Sequence, residues 1–295
     1  MWKKNPGRTE IENAIPMGKG GAGGKFYAPC QAQAATRRPR SGARGTKVRR
    51  ELRPLGADSP ATGDVTVFLF DCDNTLLDND RVQEDLQAHL EREFGAANRA
   101  RYWQIFEALR RQLGYADYLG ALQRYRLGAG NDPRLLQMSA FLVDYPFAER
   151  LYPDALNVLA RVGAWGPTVI LSDGDVVFQP RKIERSGLWR AVEGRVLIYI
   201  HKEKMLADVE QRYPARHYVM VDDKLRILAA MKTILKEKLT TVFPRQGHYA
   251  HDPHTIATYR PADLTLDCIG DLIHVDLPFL LHAARASHLN HRSPS

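Results

Sequence analysis

The 295 residues carry 42 Lys and Arg against 34 Asp and Glu, a formal net charge of +8. Residues 1–60 hold 13 of the basic and 4 of the acidic side chains, a net of +9; the rest holds 29 and 30, a net of −1. The length leaves room for a real core, and the near-neutral body argues against a broad nucleic-acid footprint. The three cysteines, Cys30, Cys72 and Cys268, form no C-x-x-C pair, so neither a disulfide framework nor a zinc site is indicated. No apolar run approaches the length of a membrane span and no signal peptide is legible. A reducing, cytoplasmic setting is the expectation.

Residues 1–60 read as a disordered basic leader, with 9 of the 22 glycines and no periodic apolar pattern. The stretch GKGGAGGK (18–25) is not a phosphate-binding loop: Phe26 stands where Ser or Thr is needed, and no strand precedes it. The leader reads as a flexible extension; a targeting peptide or a basic arm for an anionic partner are the alternatives.

Order begins at VTVFLFDCDNTLLD (65–78). Val65, Val67, Phe68, Leu69 and Phe70 predict a short strand apolar on both faces, as in the middle of a parallel sheet. Asp71 and Asp73 follow at its carboxyl end, where open α/β sheets place their chemistry. Two acids so close are costly to bury without a cation between them, and hard oxygen donors suit Mg²⁺. Cys72, between them, points toward the core.

Residues 79–152 predict a helical insert. Val82, Leu86, Leu90 and Phe94 share a face that Gly95 ends; Tyr102, Ile105, Phe106, Leu109 and Leu113 precede Gly114; Tyr118, Leu119, Leu122 and Tyr125 give a third helix; Asp132-Pro133 starts a fourth with Leu135, Leu136, Met138, Phe141 and Leu142. Pro153 opens a helix with Leu156, Leu159 and Val162. Strands then alternate with helices: PTVILSDGD (167–175), RVLIYI (195–200), HYVMVDD (217–223), LTTVFP (239–244) and a weaker ADLTLDCI (262–269). The alternation predicts a doubly wound parallel α/β sheet. Residues 284–295 read as a polar tail.

Each of four strand ends carries a chemical group: Asp71 and Asp73, then Ser172, then Lys202, then Asp222 and Asp223. Lys202 is preferred over Lys204 because it stands nearer its strand. Asp173 and Asp175 read as caps of the next helix, and His248 as a surface histidine, with a place lining the cleft as the alternative. With this order of motifs, residues 65–271 resemble the haloacid dehalogenase (HAD) superfamily, in its phosphatase type with a helical cap between the first and second motifs.

The resemblance implies a HAD-like Rossmannoid core at 61–78 and 153–283, with residues 79–152 as the cap. It implies an Mg²⁺-dependent phosphatase acting on a small soluble phosphate ester. Asp71 is then the nucleophile that forms an aspartyl-phosphate, and Asp73 the acid and base. Asp71, the Asp73 carbonyl and Asp223 hold the metal, Asp222 stands behind or beside them, and Ser172 and Lys202 hold the phosphoryl oxygens. Asp73 favours phosphoryl transfer, because a departing halide needs no proton. A phosphomutase of the same superfamily, or a non-enzymatic binding module using the leader, are the alternatives.

Overall fold

The computed structural model describes residues 65–130 and 132–289, with side chains up to residue 283. The leader and residues 290–295 lie outside that range, and so do the expectations made for them. Six strands form one parallel sheet in the order β3-β2-β1-β4-β5-β6. They are β1 (Thr66–Phe70), β2 (Thr168–Asp173), β3 (Val196–Tyr199), β4 (His217–Val221), β5 (Leu239–Pro244) and β6 (Leu264–Leu266). All five expected strands after β1 are present; β5 keeps its expected bounds and the other four are shorter than expected.

Alternation along β1 explains why helices cover both faces. Phe68 and Phe70 point into one apolar cluster, and Val67 and Leu69 into another. The first cluster takes α5 (Ala155–Gly163), α6 (Phe178–Arg185) and α7 (Leu188–Ala191); the second takes α8 (Leu206–Arg212) and α9 (Leu225–Leu235). Every residue of β1 is buried, as a strand covered on both faces requires.

Between β1 and α5 come α1 (Asn79–Phe94), α2 (Ala96–Leu113), α3 (Tyr118–Arg126) and α4 (Arg134–Asp144), packed consecutively on one another. The predicted apolar stripes face inward, and Gly95 and Gly114 end α1 and α2 as expected. Leu136 and Leu156 are exceptions, exposed on α4 and α5. Phe178 of α6 joins the insert to the sheet layer, with Tyr118 at 5.2 Å and Phe147 at 5.8 Å between ring centroids.

After β5 come two short helices, α10 (Gly247–Ala250) and α11 (Pro253–Thr258), and after β6 a longer one, α12 (Leu277–Leu289). The last runs past residue 284, into the stretch read as a polar tail. Leu280, fully buried against the first cluster, anchors it.

Candidate active site

Register brings the four motifs to one edge. Phe70 pairs with Ile170 on one side and Val221 on the other, and Ser172 pairs with Ile198. Asp71 therefore emerges between the ends of β2 and β4, its backbone N–H donating to Val221 O at 2.9 Å.

Asp71 is buried, 2% exposed, and its Oδ1 accepts a hydrogen bond from Lys202 Nζ. Lys202 is fully buried at the start of a 3-10 turn (Lys202–Lys204) and also donates to Leu171 O at 3.2 Å. Asp222 Oδ2 lies 2.7 Å from the same ammonium, an ion-pair contact without good hydrogen-bond alignment. Lys204, by contrast, is exposed.

Carboxylate oxygens of Asp71, Asp222 and Asp223 lie within 4.8 Å of one another, all three residues buried. Both oxygens of Asp223 are buried without a hydrogen-bond partner; Lys224 Nζ approaches one at 3.5 Å. Burial pushes the Asp223 carboxyl well above its ordinary value, and the neighbouring carboxylates push the same way. Burial also raises Asp222. For Asp71 burial again works upward, but the ammonium groups of Lys202 and Lys224 overcome it and hold the carboxyl below its ordinary value. Three crowded hard donors, one with two unsatisfied oxygens, fit a divalent cation.

Asp73 was expected to meet the metal through its backbone carbonyl alone, and its side chain lies elsewhere. Its carboxylate does not join the acidic cluster but pairs with Lys182 Nζ, at 2.8 and 3.0 Å from its two oxygens. Only its backbone carbonyl is left for the role expected of it at a metal. Ser172, fully within the β2 end, accepts from Gln179 Nε2 at 3.0 Å.

The tight turn after Asp71 is held by side chains. Thr75 Oγ1 donates to Asp71 Oδ2 at 3.3 Å and accepts from the Asp223 N–H at 3.0 Å, tying the first motif to the last. Asn74 adopts a left-handed φ of 62°, which asparagine tolerates, and its Oδ1 accepts from the N–H groups of Asn79 and Asp80.

One more expectation is corrected. Asp175 does cap α6, accepting from Val177 and Phe178, but Asp173 accepts the Lys202 N–H at 2.7 Å and so fixes the loop that carries the lysine. His248 is exposed, as expected; its ring and backbone N–H also contact Asp80 of α1, and it lines a cavity over the site. That cavity, about 320 Å³, lies between α1, α2 and the loops after β1, β2, β4 and β5. Asp73, Asn74, Asp173 and Lys224 line its inner end; Arg110, Tyr115, Arg226 and Tyr249 line the rest.

Residues 65–234 match the family model described as "Hydrolase: haloacid dehalogenase-like hydrolase". The chain belongs to the haloacid dehalogenase-like hydrolases. No curated protein matches it. Among solved structures, a haloacid dehalogenase-like hydrolase of Burkholderia xenovorans is 72% identical, with a TM-score of 0.69, over 72% of this chain and 99% of the other. A HAD-like hydrolase of Xanthomonas campestris is 17% identical, with a TM-score of 0.55, over 78% and 97%. The L-2-haloacid dehalogenase of Xanthobacter autotrophicus is 19% identical, with a TM-score of 0.48, over 71% and 97%. In this HAD-like hydrolase, sequence reasoning missed Gln179 and Lys182. They occupy the stripe of α6 that also holds Phe178 and Ile183, where periodicity demands apolar residues. Polar residues on a buried stripe were the available signal.

Proposed function

We propose that this HAD-like hydrolase is an Mg²⁺-dependent phosphomonoester hydrolase, working through an aspartyl-phosphate on a small soluble metabolite in the cytoplasm. The observation that carries the reading is Asp73: a carboxyl two residues after Asp71, partly exposed to the cavity. A dehalogenase expels halide, which departs without a proton and gives such a group no task. An alkoxide leaving phosphorus needs one.

Asp71, Asp223 and the Asp73 carbonyl would hold the cation, with Asp222 steadying Lys202 beside them. When bound, the metal supplies charge neutralisation for the phosphoryl group and its nucleophile. Asp71 attacks phosphorus through a carboxylate oxygen, and the bond to the leaving oxygen breaks as Asp73 protonates it. Asp73 then takes a proton from the water that cleaves the acyl phosphate. Lys202 and Ser172 offset the charge on the phosphoryl oxygens. Helices α1–α4 act as the cap, excluding water over the site.

Acid quenching during turnover of p-nitrophenyl phosphate with Mg²⁺, followed by mass spectrometry, tests this. One phosphoryl group on the peptide bearing Asp71 is expected. Phosphate release with no adduct on any rapid quench would refute the covalent route.

A further inference from the structure

Lys182 is a buried cation that the proposed reaction leaves without a task. Its side chain is 1% exposed, and burying an ammonium is costly unless it is paired and hydrogen-bonded. Its Nζ touches both oxygens of Asp73 and donates to Asn79 Oδ1 at 2.9 Å. Asp73 is 23% exposed, so its carboxyl meets the lysine on one side and the cavity on the other. Gln179 Nε2 reaches the same carboxylate at 3.3 Å while bonding Ser172. Both side chains come from one turn of α6. Gly174 lets that turn approach: a Cβ there would lie 2.9 Å from Gln179. Contacts to both oxygens fix both torsions of Asp73, which would otherwise sweep freely at the cavity wall.

We propose that Lys182 is a positioning residue for departure of the leaving group. Its ammonium, seated by Asn79, holds the Asp73 carboxyl in the orientation from which it reaches the leaving oxygen. The assignment rests on the phosphatase reading and deepens it. In the step concerned the Asp71–phosphorus bond forms, the phosphorus–oxygen bond breaks, and the proton on Asp73 passes to the departing oxygen. Lys182 keeps its own protons.

The test compares kcat/KM for glycerol 2-phosphate, whose alkoxide needs that proton, with kcat/KM for p-nitrophenyl phosphate, whose phenolate does not. This parameter covers events only up to loss of the leaving group. In Lys182→Met the alkyl-to-aryl ratio should fall at least about tenfold, toward that of Asp73→Asn. Adding Lys182→Met to Asp73→Asn should change the ratio less than about threefold, because the two act as one unit. If Lys182→Met does not fold, Asn79→Ala removes the other anchor and should lower the ratio by roughly threefold. A ratio unchanged in these variants, both esters slowing alike, would make Lys182 merely structural and overturn the assignment. Wild-type protein inactive on both esters would instead overturn the phosphatase reading beneath it.

Discussion

Asp223 bears the sharpest conflict between stability and function. Its carboxyl is buried, without a hydrogen-bond partner, and pushed well above its ordinary value by burial and by Asp222 and Asp71. A carboxyl raised on folding costs nothing below the ordinary carboxylate range. The cost grows as pH rises through the raised value and stays at neutral pH. Asp223→Asn removes the charge, so in chelator at neutral pH it should melt at a higher temperature than wild type. Added Mg²⁺ should stabilise wild type and leave the variant unchanged. Thermal melts with and without metal check both halves. The groups at the strand ends were readable, because Asp71, Lys202 and Asp223 follow apolar strands and Ser172 stands at the end of one. The partners that orient them were not. Lys182 and Gln179 lie within a helix, more than 100 residues from Asp73 in the chain, and only the fold brings them to it.

At the scale of elements, the site depends on α10 packing onto the turn that follows β1. Gly247 opens α10 with φ of 68°, and a Cβ there would come within 2.5 Å of Asn74 Cβ. Asn74 in turn caps α1. Gly247→Ala should therefore cost about 1–3 kcal/mol in denaturant unfolding and lower turnover by displacing the turn that carries Asp73. An alanine tolerated with unchanged stability would show that the turn yields without consequence. Other contacts also join the insert to the sheet layer: Asp80 to His248, and Arg110 of α2 to Tyr249. Periodicity exposed the insert's helices, since each has an apolar stripe closed by a glycine or a proline. It could not show α12, whose Ala, Ser and His residues after Leu281 resemble a tail when read without Leu280 in its pocket.

For the whole molecule, the parallel sheet follows from the alternation of strand and helix, and the four motifs converge because all strands run parallel. The family match spans residues 65–234, and every residue assigned a role lies between Asp71 and Asp223. Protein lacking residues 1–60 should accordingly keep wild-type kcat/KM with Mg²⁺. A loss of activity in that truncated protein, still folded by circular dichroism, would assign the basic leader a part in catalysis. Among the described residues no helix is long and apolar enough to cross a membrane. Cys72 forms no disulfide, and burial pushes its thiol well up, so Cys72 serves the core and not the chemistry between its acidic neighbours.

The most direct test is product release by wild type and Asp71→Asn, offered a panel of small phosphomonoesters and, separately, 2-haloacids. The account predicts Mg²⁺-dependent release of inorganic phosphate, reduced at least about 10³-fold in Asp71→Asn, with no halide formed. Halide release without phosphate release, lost in the same variant, would contradict it and make the enzyme a dehalogenase.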